Sequence, residues 1–226
     1  TQTAGLYFGG SPGSTIAEET EEYNGSAWTA GGDLTTGRAT AGGTGVQTAA
    51  LCIGSYPAGA IVEAYDGSSW SEGPDLSGGR HNLSSAGTTT AALAFGGEND
   101  TAILALSEEY DGSSWAEGND LNTGKYASAG AGTQTSALSM TGDNPSGART
   151  ANVESYNGTS WTEGPNVNSA RYALAGDGAS DTSAIIAGGI DTAIRAYTET
   201  YDGSSWTEVA DLSTARQQIE GSGTAT

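Results

Sequence analysis

Five basic residues recur at one place in this chain. Arg38, Arg80, Lys125, Arg171 and Arg216 each follow an acid or its amide by five positions, at Asp33, Asp75, Asp120, Asn166 and Asp211. They are five of only seven Lys and Arg in the protein. Cations gathered around one opening could take carboxylates, sulfates or acidic sugars through charge-assisted hydrogen bonds. The alternative is structural, because a buried cation in every unit demands a partner in every unit. A second acid recurs as strictly: Glu21, Glu63, Glu108, Glu154 and Glu199 each stand two residues before a tyrosine.

The residue after each basic one changes from unit to unit: Ala39, His81, Tyr126, Tyr172 and Gln217. The loops at 11–15, 56–60, 98–102, 144–148 and 190–194 differ as well. Tyr and Arg dominate binding hot spots, so Tyr56, Tyr126, Tyr172, Arg149 and Arg195 are the natural contacts on such a surface. The candidate ligand-binding set is therefore Arg38, Tyr56, Arg80, His81, Lys125, Tyr126, Arg149, Arg171, Tyr172, Arg195, Arg216 and Gln217.

Little catalytic chemistry is available. One His, one Cys and one Lys give no second imidazole for a metal site beside His81, so no metal and no cofactor is expected. Cys52, within Ala49–Ile53, reads as a small core residue. Carboxylates are numerous enough for a glycosidase pair, yet the repeated acids read as scaffold, and the expectation is a protein that is not an enzyme.

These residues are positioned by a repeat. Tyr23/Trp28, Tyr65/Trp70, Tyr110/Trp115, Tyr156/Trp161 and Tyr201/Trp206 share one spacing, and they contain every Trp of the 226-residue chain. A period near 45 residues marks a propeller or another repeat array. Hydrophobic residues make up only 35% of the chain and glycines number 36, which suits closely stacked sheets with small side chains between them. The reading is all-β: a single domain over 1–226, a five-bladed β-propeller with four antiparallel strands per blade. In the third unit, strand a covers Ser84–Gly87, b Ala91–Phe95, c Leu106–Tyr110 and d Trp115–Gly118. Asn24-Gly25, Asp66-Gly67, Asp111-Gly112, Asn157-Gly158 and Asp202-Gly203 make the tight c–d turns. An antiparallel order a–b–c–d puts the b–c loops and the d–a connections on one face, where the variable residues lie. Thr1–Gly10 matches Thr89–Gly97, and 220–224 matches the strand a region of other units. Head and tail are therefore expected to share one blade and close the ring.

The net charge of −20, from 7 basic and 27 acidic side chains, argues against nucleic acid and anionic membranes. No apolar run approaches the roughly 18 residues a membrane-spanning helix needs. The opening Thr-Gln-Thr-Ala has no basic, apolar leader, which fits either export without a signal of that kind or a leader already removed.

Gly-Gly closing strand b, Glu-x-Tyr on strand c, Trp opening strand d and a basic residue before the next strand a together resemble the kelch repeat over essentially the whole chain. Two units depart from it, with Gly54-Ser55 and Gly142-Asp143 in place of the double glycine. Kelch propellers mostly have six or seven blades, so five is a further departure. The near-verbatim wording of the units is similar to kelch-like repeat proteins of marine bacteriophages and bacteria. That resemblance implies a monomeric binding module for a surface glycan or protein, extracellular or virion-associated. The other reading is a structural scaffold for protein–protein contacts, or a recently amplified segment of a larger repeat protein.

Overall fold

The computed structural model describes residues 3–11, 13, 15–57 and 59–221. All of the regular structure in them is β. The first blade contains β1 (Gly5–Phe8), β2 (Thr20–Tyr23) and β3 (Trp28–Ala30), and the second β4 (Gly42–Val46), β5 (Ala49–Ser55), β6 (Gly59–Tyr65) and β7 (Trp70–Glu72). The third contains β8 (Ser84–Thr88), β9 (Ala91–Phe95), β10 (Ser107–Tyr110) and β11 (Trp115–Glu117). The fourth runs through β12 (Ala129–Thr133), β13 (Ser136–Met140), β14 (Val153–Tyr156) and β15 (Trp161–Glu163). The fifth holds β16 (Ala175–Ser180), β17 (Ser183–Ala187), β18 (Thr198–Tyr201) and β19 (Trp206–Glu208).

Each is an antiparallel meander whose sheet order follows chain order. The protein is thus a five-bladed β-propeller. Four blades show all four strands, and the first shows three. The strand expected to complete the first blade, at 220–224, falls largely outside the described residues.

The Tyr–Trp spacing of five becomes a cross-strand pair. Tyr65 stands opposite Trp70, and Tyr156 opposite Trp161. All five pairs place their ring centroids 4.9–5.2 Å apart. The turn between them is held by its first residue: Asp66 Oδ1 accepts the N–H groups of Ser68 and Ser69, each at 2.9 Å. Asn24, Asp111, Asn157 and Asp202 do the same in their own units.

The strands a pack against one another near the axis. Small residues are required there. A Cβ on Gly130 would lie 2.6 Å from the Ser85 carbonyl oxygen, and one on Gly176 2.5 Å from the Ala129 Cβ. Farther out, the core lies between blades, as in the cluster joining Leu93 and Phe95 of the third blade to Ala137, Tyr156 and Trp161 of the fourth. A low apolar content suffices because these layers are thin.

Candidate functional site

The repeated cations lie in the wall of the ring. Arg38, Arg80, Lys125 and Arg171 are at most 1% exposed. Each reaches from a d–a connection to the strand c glutamate of the following blade. Arg80 Nη1 donates to Glu108 Oε1 at 2.8 Å, Lys125 Nζ to Glu154 Oε1 at 3.3 Å, Arg171 Nη1 to Glu199 Oε1 at 2.5 Å, and Arg38 pairs with Glu63. The second carboxylate oxygen takes backbone N–H groups of the same connection: Thr35 and Ser77 at 2.8 Å, Asn122 at 2.6 Å, Asn168 at 2.7 Å. Desolvation holds the Arg80 and Lys125 cations below their usual range, against the pull of Glu108 and Glu154.

As ligand contacts these four residues are out of reach, and the structural alternative describes them. Arg216 differs, being exposed. The recurring Asp serves another purpose: Asp33, Asp75 and Asp120 accept the first N–H of strand c in their own blade, from Thr20, Val62 and Ser107.

The b–c loops and d–a connections do share a face. Isolated antiparallel bridges join Ala39 to Tyr56, His81 to Glu98, Tyr126 to Asp143 and Tyr172 to Ile190. Each ties a variable connection residue to the variable loop of the next blade. One position further on, Thr40, Asn82, Ala127, Ala173 and Gln218 are all left-handed, with φ between 49° and 55°. Asn82, Ala127, Ala173 and Gln218 each donate their N–H to the carbonyl of the preceding member, at 2.8–2.9 Å. A chain of backbone hydrogen bonds therefore runs around the mouth beneath the variable side chains. Nothing in those residue types announces it.

Two aromatic groups stand on this rim. Tyr56 packs edge-on against His81, with centroids 5.6 Å apart. His81 Nε2 lies 3.1 Å from Asp100 Oδ1, and its Nδ1 3.7 Å from Glu98 Oε1. Tyr126 and Tyr172 are 6.2 Å apart, and the Arg149 guanidinium sits 4.9 Å above the Tyr172 ring. Below them Asp143 is 8% exposed, and burial pushes its carboxyl above the usual range while Arg149 opposes the rise. Burial also raises the Tyr126 hydroxyl, with Asp143 and Glu98 adding to it. Arg195 is held by Asp191 at 2.7 Å and lies over Tyr197. Gln217 stands at the edge of the array with no bridge of this kind among the described residues. Sequence reasoning found the tyrosines and arginines. It missed Glu98 and Asp143, whose role follows only from the bridges.

Such a rim offers flat apolar faces, hydroxyls and a guanidinium at fixed separations, which suits stacking and hydrogen bonding to a sugar or a side chain. The opposite end carries an open groove of about 410 Å³ between the third and fourth blades, lined by Glu109, Glu117, Asn119, Tyr156 and Thr159. There the Tyr156 hydroxyl donates to Glu109, and burial followed by that carboxylate raises its pKa. Among the described residues no group of three or more His, Cys, Asp or Glu is arranged to hold a metal ion.

No protein-family model matches this sequence. No curated protein matches it either. The solved structure of YjhT superposes with a TM-score of 0.76 at 15% identity, over 90% of this chain and 80% of that one. At that identity the likeness concerns the fold: both are β-propellers.

Proposed function

We propose that the protein is a non-catalytic binding module, a kelch-like propeller that recognises a surface ligand, in the first instance a glycan, through its variable face. The observation that carries this reading is the set of four bridges. They bring residues that differ in every unit onto one face, including the Tyr56–His81 and Tyr126–Tyr172–Arg149 groups. Loops that vary on a rigid, repeated frame are where such proteins carry recognition. Several weak contacts around one rim would give avidity for a repetitive polymer without any single deep pocket. The same chemistry fits an extracellular or virion-borne module.

The test is binding of the purified protein to an array of bacterial and eukaryotic glycans, with and without calcium. Saturable binding to one sugar class, lost in Tyr126→Ala and Tyr172→Ala while thermal unfolding stays in place, supports the reading. Binding that survives both substitutions removes the rim from the site. Silence across the array, with a protein recovered in its place, moves the function to protein recognition.

A further inference from the structure

Four junctions between neighbouring blades share one contact set. A basic residue of the connection meets the strand c glutamate of the next blade, a variable residue bridges to the next b–c loop, and a left-handed residue joins the hydrogen-bonded chain around the mouth. The strand d tryptophan packs on the blade before it. Where strand c of that blade begins with a hydroxyl, the indole uses it: Trp70 Nε1 donates to Thr20 Oγ1 at 2.9 Å, and Trp161 Nε1 to Ser107 Oγ at 3.0 Å. Where the position is Val62, Trp115 Nε1 has no partner, and where it is Val153, Trp206 Nε1 turns to the Pro165 carbonyl at 3.0 Å.

Between the fifth blade and the first, none of this set is made among the described residues. Trp28 is 50% exposed, against 6–7% for Trp70, Trp161 and Trp206. Arg216 and Glu21 are both exposed and unpaired. Tyr7 on the first blade and Val209 on the fifth are exposed too.

Yet every group the junction needs is present. Glu21 holds the position of Glu63, Glu108, Glu154 and Glu199, and Arg216 that of the four buried cations. The residue in line for Trp28 is Thr198, which carries the hydroxyl that Val62 and Val153 lack and spends it on a 3.5 Å contact with the Ala196 carbonyl.

We infer that the outer faces of the first and fifth blades are docking surfaces for each other, and that closing this seam is a step distinct from building the other four junctions. In the closed seam Glu21 meets Arg216, Trp28 Nε1 donates to Thr198, and Gln217 comes beside Ser11. The occupant is the chain's own first blade. Both faces belong to one chain, so their mutual concentration is on the order of mM or above, and the ends that meet carry opposite charge. Closure also seats Gln217, the fifth variable residue, on the rim. That last consequence rests on the proposed binding role; the closure itself does not.

The test uses Glu21→Arg, Arg216→Glu and the double exchange, followed by thermal unfolding and by light scattering for mass. Each single variant is expected to melt about 4–10 °C below the parent, given roughly 2–4 °C per kcal/mol for a chain of this size. The double exchange recovers most of the loss, and all three stay monomeric. Emission from Trp28, taken as the parent minus Trp28→Phe, is expected at the short wavelengths of a buried indole, which keeps the idea testable if a variant fails to fold. Single variants that melt with the parent, or a solvent-exposed Trp28 spectrum, would refute the closure. Recovery only on mixing the two single variants, with doubled mass, would assign these faces to a second copy instead.

Discussion

Removing Glu108 tests whether the repeated cations hold the ring together. In Glu108→Ala the Arg80 guanidinium stays buried and keeps only the Ala94 carbonyl, at 3.4 Å, while the Ser77 N–H loses its acceptor. Arg80 Nε already has no hydrogen-bond partner, so no spare acceptor takes over. Deleting one member of a buried pair costs about 3–5 kcal/mol, because the other charge is left uncompensated. Against a total stability of about 5–15 kcal/mol this is a large share, and it corresponds to a fall in Tm of roughly 6–20 °C. Thermal unfolding by circular dichroism reads it directly. Replacing both partners, as Arg80→Met with Glu108→Leu, removes the stranded charge and should recover most of the loss. The neighbouring Glu109→Ala, which takes only a partner of the Tyr156 hydroxyl, should cost about 1 kcal/mol. A Glu108→Ala protein within about 1 kcal/mol of the parent would refute the reasoning, since Arg80 would then be finding water or another acceptor.

The left-handed residues should respond to glycine: Ala127→Gly and Ala173→Gly, at φ of 49° and 53°, are each expected to raise stability by about 0.5–1 kcal/mol, and a loss in chemical denaturation would argue against strain there. Val62→Thr supplies the hydroxyl that Trp115 Nε1 lacks, whereas Val153→Thr faces an indole already bonded; the first should be more stable than the second by about 1 kcal/mol in the same assay. The Asp202 carboxyl is lowered to about 2 from 3.8, chiefly by the Ser204 hydroxyl and then by the Ser205 and Ser204 N–H groups. A depressed carboxyl stabilises the fold above its unfolded value and loses that contribution as pH falls through its folded one. Asp202→Ala should therefore flatten the loss of Tm between pH 4 and pH 2.

The hairpin chemistry was open to reading because it is local. A Tyr and a Trp five residues apart across an Asx-Gly turn can face each other in only one way, and all five units do so. The shared face of the b–c loops and d–a connections followed from antiparallel order alone. The partner of each cation did not, because two acids recur at fixed spacing and both could reach it. The choice is made by packing between blades: the Asp is spent on an N–H within its own sheet, while the Glu points across the junction. Arg38, Arg80, Lys125 and Arg171 thereby belong to the wall. The left-handed ring was hidden for another reason. Thr, Asn, Ala, Ala and Gln share no preference for positive φ, so the geometry comes from the ring and overrides the residue.

This division changes what the acidic composition means. Of seven cations, four are consumed inside the wall by glutamates, so the surface is far poorer in positive charge than the sequence suggests. The three that remain are Arg149, Arg195 and Arg216. Arg195 is held by Asp191, and Arg216 waits at the seam opposite the exposed Glu21. Arg149 alone combines exposure on the rim with an aromatic partner and no carboxylate paired to it. A ligand approaching the mouth meets a strongly negative molecule with one cation stacked on Tyr172, a field that repels extended polyanions and leaves stacking and hydrogen bonding to select among the rest.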